Sequence, residues 1–186
     1  MTGVQTCALP IYTAPRGWSF SRHNGRSAWS TLRKRYALFQ QGDEDQELSL
    51  RIWGYADTAK TLPFMLYQFY YEDVTYIEEQ VGKTTVTRKV ETPRFRYGMF
   101  LRVPEASVRF RLTEDRGSAG LDKRLTLEYG AFNREVAVYC DSSDELAVRK
   151  FLSPAVLELV LQMARSIAGM TVDFYPGHVL YMCEED

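Results

Sequence analysis

From Phe132 to its last residues the chain changes hydrophobic period several times, and each change is marked by its own chemistry. Val136, Val138 and Cys140 alternate with Ala137 and Tyr139, the period of two that a half-buried strand requires. Asp141-Ser142 stops that strand, and Ser142 with Glu145 three residues on fits a capping box at the start of a short helix. Ser153-Pro154 opens a second, longer helix, with serine as N-cap and proline in the first turn. Along it Val156, Val160, Met163 and Ile167 form one stripe, joined by Leu157, Leu161 and Ala164, opposite Glu158, Gln162 and Arg165. Gly169 sits where a left-handed cap belongs. Thr171–Tyr175 and His178–Cys183 then flank the turn dipeptide Pro176-Gly177 and close the chain as a β-hairpin.

Upstream the pattern is mostly strands. Trp18-Ser19-Phe20 reads as an entry strand. A helix follows from about Ser27 to Phe39, with Trp29, Leu32, Tyr36 and Phe39 at helical spacing. Gly42–Glu47 reads as a charged, solvated connector, because its glycine and last carboxylate are misplaced for a calcium loop. From Leu48 to Glu128, strands recur with turn signals every 8–12 residues, including a hairpin at Gly82-Lys83. Strands first and helices late predict an α+β domain. The prediction is an antiparallel sheet of about seven to nine strands, with a C-terminal helix pair packed on it and a closing β-hairpin.

The phrases L-E-x-x-x-F-N-R-x-x-x-V and, after it, leucine and proline at a helix start followed by V-L-E-L-V-L carry a resemblance. Their residues are Leu127, Glu128, Phe132, Asn133, Arg134, Val138, Leu152, Pro154, Leu157 and Leu161, with R-G-W-S-F at Arg16–Phe20 and R-Y-G-M-F-L-R-V-P at Arg96–Pro104 upstream. In that order they resemble the bacterial domain-of-unknown-function family numbered three-one-three-seven and its looser relatives, over most of residues 14–186. The resemblance implies a domain on the cytoplasmic side of a membrane, tethered there in the full-length protein by N-terminal hydrophobic helices. No activity is established for that family, so the resemblance implies a place and an architecture without a reaction. Met1–Ile11 (M-T-G-V-Q-T-C-A-L-P-I) reads as a translated sequencing adapter. That sets 1–11 apart from a single domain at 12–186 and makes the chain a truncated fragment of its parent.

Bulk composition points away from several classes. A net charge of −1 over 186 residues argues against a nucleic-acid binder. The longest apolar run, Leu62–Tyr67, is far short of the roughly 20 residues that span a bilayer. The sequence contains no G-x-G-x-x-G, no P-loop and no C-x-x-C, so no cofactor and no metal ligand set is expected. Cys140 and Cys183 read as small buried hydrophobes, and a disulfide between them would need adjacent strands. His178 reads as an exposed strand end, on the opposite side of the sheet from Cys183. No catalytic set is assembled in sequence. Asn133 reads either as a ligand contact or as an amide that satisfies backbone groups at a turn.

One pattern points to binding. In Arg94–Val103 the even positions carry Arg94, Arg96 and Arg102, whereas the odd ones are apolar, and Ser107–Thr113 repeats this with Arg109 and Arg111. Strands paired through the Pro104–Ala106 turn would gather these five arginines on one outer face. That face would suit anionic lipid headgroups or an acidic protein partner. It would equally suit a solvated surface neutralised by Glu72, Glu78, Glu79 or Glu91. The sequence therefore predicts a non-enzymatic interaction or scaffold module, with a hydrolase-like enzyme of unrecognised type as the alternative.

Overall fold

The computed structural model describes residues 17–21, 26–40, 42–82, 84–114 and 117–184; Met1–Ile11 and His23 lie outside them. Among the described residues nine strands form one antiparallel sheet. They are β1 (Ser19–Ser21), β2 (Glu44–Tyr55), β3 (Pro63–Val81), β4 (Thr84–Arg102), β5 (Phe110–Thr113), β6 (Lys123–Leu125), β7 (Ala137–Cys140), β8 (Thr171–Tyr175) and β9 (His178–Glu184). Their order across the sheet is β1-β2-β3-β4-β9-β8-β5-β7-β6. The helices are α1 (Arg26–Arg35), α2 (Gly130–Glu135), α3 (Glu145–Phe151) and α4 (Pro154–Ser166), with a 3₁₀ turn at Ala37–Gln40. The domain is α+β, and its strand number falls at the top of the predicted range. None of the described helices is long and apolar enough to cross a membrane.

The closing hairpin β8–β9 lies in the middle of the sheet, between β4 and β5. The strands predicted to pair through Pro104–Ala106 therefore never meet. The intervening chain instead crosses the hairpin's tip: the Val103 amide donates to the Gly177 carbonyl at 2.9 Å, and the Gly177 amide to the Ala106 carbonyl at 2.8 Å. Gly177 has a positive φ of 85°, which the tight turn needs and most residues resist. Period two shows which residues share a face, but it does not show which strands are neighbours.

Because cross-strand partners point the same way, the register divides the sheet into two faces. On one, Phe110, Leu112, Val138, Cys140 and Val172 form a buried cluster with Phe132 of α2, Val148 of α3 and Leu157, Val160 and Leu161 of α4. On the other, Tyr67, Phe69, Tyr71, Leu180 and Met182 form a second cluster with Tyr36, Leu38 and Phe39 from the N-terminal helical layer. Burial of each such large apolar side chain contributes about 1.5–3 kcal/mol, so the sheet is held from both sides.

Several local readings change. Phe132 is fully buried, but it sits on α2, and the strand begins only at Ala137. Ser142 makes no capping box; its hydroxyl donates to Asp122 at 3.1 Å, while the Glu145 carboxylate is taken by Lys123 and Arg149. The Gly42–Glu47 stretch is not a connector, because β2 begins at Glu44 and pairs with Glu72. The predicted first helix breaks after Arg35 into a 3₁₀ turn. Where the pattern predicts turns every 8–12 residues, β3 and β4 run 19 residues each, with an unbroken register from Phe64↔Leu101 to Val81↔Thr84. Pro93 does not interrupt β4, because β9 reaches only Arg96 and leaves that edge free where proline lacks its N–H.

Candidate functional site: a buried ionic cluster and a projecting ribbon

The register path Arg111↔Asp173, Asp173↔Leu180 and Leu180↔Phe100 puts Arg94, Arg96, Arg102, Arg109 and Arg111 on one side of the sheet. That side is the one packed by Tyr36, Leu38 and Phe39, not a free outer face. Two strands, β9 and β8, separate the two arginine groups by about 14 Å, from the usual spacing between strands.

Their individual environments differ. Arg111 is 7% exposed and grips Asp173, 3% exposed, through a two-pronged bond: Nε to Oδ1 at 2.5 Å and Nη2 to Oδ2 at 2.7 Å. Its remaining Nη1 donates to the Gly117 carbonyl at 3.2 Å. Arg109 donates to the Ala119 carbonyl at 3.1 Å and lies over the Tyr175 ring. Arg96 is largely buried, bonded to Glu184 and set over Tyr71. Arg94 meets Asp73 at 3.1 Å. Arg94 is exposed as well as paired, and Arg102 stands exposed on the strand end beside His178. A polar cavity of about 490 Å³ at the root of the β3–β4 hairpin is lined by Arg94, Arg96, Asp73 and Glu184, so its charges balance. The five side chains thus form no single exposed basic surface.

The same face holds groups that the sequence did not connect. His178 is buried rather than exposed, and its Nε2 lies 2.9 Å from the Tyr36 hydroxyl. The imidazole stacks between Phe100 and Tyr175, with ring centroids 5.0 and 5.3 Å away. Burial, reinforced by the Arg35 charge, holds it below its ordinary pKa. Burial, with the nearby Asp173 charge, pushes the Tyr175 phenol up to about 12. These groups lock the N-terminal helical layer and the 117–119 loop onto the sheet. Asp173 is fully engaged by Arg111, which leaves no free base there.

Cys140 is buried, and burial raises its thiol, so it lacks the thiolate character of a nucleophile. Cys183 is half-buried and donates to the Tyr97 carbonyl at 3.5 Å. β8 and β5 stand between their strands, so both cysteines are free. Among the described residues no His, Cys, Asp and Glu cluster could hold a metal ion. Asn133 accepts from the Leu127 amide at 3.1 Å and donates to the Leu127 carbonyl at 2.6 Å, which pins the turn into α2. An apolar notch of about 330 Å³ lies between α3 and the 103–108 segment, with the Phe110 and Phe174 rings stacked 4.1 Å apart and Phe151 beside them.

The feature with no structural use inside the domain is the outer half of the β3–β4 hairpin. β2 pairs no further than Glu72 and β9 no further than Arg96, so the pairs from Thr75↔Val90 to Val81↔Thr84 stand as a two-stranded ribbon. At about 3.4 Å per residue the ribbon projects roughly 25 Å. Its root is fixed: the Val74 amide donates to Asp43 at 2.8 Å and Lys89 to Glu44 at 2.6 Å. One side is polar and carries Glu78, Gln80, Thr85, Thr87 and Lys89 around Tyr76. The opposite side carries Ile77, Val81, Val86 and Val90 interspersed with Thr75, Glu79, Thr84 and Arg88; Val81 is 63% and Val86 48% exposed. A sequence signal for this existed in the alternation of Thr75, Ile77 and Val81 with Val86 and Val90 across the Gly82 turn, and it was legible without the fold. Comparison with protein-family models, curated proteins and solved structures finds no match to this chain.

Proposed function

We propose that this domain is a non-enzymatic interaction module and that the ribbon at 75–90 is its docking element. A single observation carries the reading. The ribbon exposes Ile77, Val81 and Val86 on one side, among Thr75, Glu79, Thr84 and Arg88, and none of the buried core residues described lies within it. A two-stranded ribbon alone is marginally stable in water, and amphipathic alternation without a core behind it points to a partner surface. Tethering on the cytoplasmic side of a membrane rests on the family resemblance alone. No specific observation favours the hydrolase alternative: among the described residues the buried Asp173 carboxylate is already bound by Arg111.

The test is to replace residues 75–90 by Asn-Gly, which joins the cross-strand partners Val74 and Glu91 through a two-residue hairpin turn. None of the buried core residues lies in 75–90, so the melting temperature should change by only a few degrees. Chemical cross-linking of the intact and shortened proteins in cells should show contacts that vanish with the ribbon. Identical cross-link patterns would refute the reading.

A further inference from the structure

We infer that the end of the sheet farthest from the ribbon carries a binding site for a phosphate-bearing ligand, formed by Arg35, Arg102 and Arg109 around His178 and Tyr175. It stands independently of the ribbon, which lies at the other end of β4. The register sets up the row. Arg102 pairs with His178 and His178 with Tyr175, so the three lie side by side across β4, β9 and β8. Arg109, just before β5, places its guanidinium 5.8 Å from the centre of the Tyr175 ring. The helical layer closes the row from above. Tyr36 stands edge-on to both rings, 5.3 Å from His178 and 5.1 Å from Tyr175, and the Arg35 guanidinium lies 5.6 Å from the Tyr36 ring.

These three cations lack a counter-charge. Among the described residues none of them is in an ion pair. Arg109 donates to the Ala119 carbonyl, and Arg111 already holds both oxygens of Asp173, the carboxylate next along this face. Glu105, close in sequence to Arg102, lines the apolar notch on the opposite face. Four guanidiniums therefore stand with one carboxylate at this end of the face, in a chain whose net charge is −1. Arg35 ends α1, where the helix carbonyls favour a cation. Arg102 has no such compensation and is exposed. Like charges gathered this way repel, and a dianion among them removes the repulsion while each guanidinium offers it a forked pair of donors. Phosphate, with nearly two charges at neutral pH, meets that demand better than a carboxylate with one. A single-stranded nucleic acid fits poorly. The His178 and Tyr175 rings already stack on each other, against Phe100 and under Arg109, so they offer no platform for a base.

The experiment is a titration of the full chain with inorganic phosphate, replacing chloride at constant ionic strength, followed by thermal melts and calorimetry. Arg102→Gln and Arg35→Gln remove side chains that meet no carboxylate, so both variants should fold and melt at or above the parent's temperature in chloride. At a phosphate concentration about ten times the dissociation constant the parent should gain roughly 3–6 °C. Each of the two variants should lose most of that gain and bind about tenfold more weakly. Arg94→Gln, at the ribbon end of β4, should behave as the parent does. Phosphate also strengthens burial in any protein, so equal gains in the parent, Arg102→Gln and Arg35→Gln would overturn the inference. Vesicles of phosphatidylcholine with and without phosphatidic acid distinguish the source of the phosphate. Binding only to the acidic vesicles, lost in Arg102→Gln, would assign the site to a lipid headgroup. Binding of free phosphate without the vesicles would assign it to a soluble phosphate ester. A parent that binds neither, or binding that survives Arg102→Gln unchanged, would overturn the inference.

Discussion

At the scale of single residues, the polar groups buried on the helix-covered face set the chain's main vulnerabilities. Arg111 and Asp173 satisfy each other inside the sheet, and removing one strands the other's charge away from water. Arg111→Met should therefore cost about 3–5 kcal/mol in chemical denaturation, and adding Asp173→Leu should recover most of the loss. A double variant as unstable as the single one would show that the bond to the Gly117 carbonyl, rather than the ion pair, matters most. His178 adds a pH dependence. Its folded value is depressed, so the unfolded chain binds the proton more readily than the fold does. The stability it contributes is present above its unfolded value of about 6.5. It is lost as pH falls through that value toward the depressed one. Thermal melts between about pH 7 and pH 5 should fall less for His178→Gln than for the parent, because glutamine keeps a polar group near Tyr36 without titrating. Parallel curves would exclude His178 as the source.

At the scale of elements, the contact between β4 and β9 depends on one missing side chain. A Cβ on Gly98 would lie 2.3 Å from the Tyr181 carbonyl and 2.3 Å from the Tyr67 hydroxyl, which itself donates to that carbonyl at 2.8 Å. The first of those atoms is backbone and cannot swing aside. Gly98→Ala should therefore destabilise by more than about 2 kcal/mol, well beyond an ordinary exposed-strand change. Loss of amide protection in β9 by hydrogen exchange would locate the damage, and full protection there would argue against this account. The same two strands behave differently beyond Arg96. There β4 has only β3 beside it, so the ribbon's residues are held by the hairpin register and the Gly82 turn alone.

At the scale of the whole molecule, local pattern and tertiary arrangement contributed different things. The α+β class, a sheet of this size and the closing hairpin at Pro176-Gly177 follow from periods and turn residues that act over a few positions. The face shared by the five arginines was legible for the same reason, since period two assigns faces without reference to neighbours. The surroundings of that face were not legible. Whether an arginine is solvated or buried depends on which element covers it, and Tyr36, Leu38 and Phe39 reach it from more than 50 residues upstream. Insertion of β8 and β9 between β4 and β5 is likewise invisible to local pattern, because strand order is settled by competition among all possible pairings for one continuous core. That insertion gives Arg111 its Asp173 and carries His178 to Tyr36. The sequence by itself determined which residues face the same way; only the tertiary structure decided what each face meets, because burial is set by contacts between residues far apart in the chain.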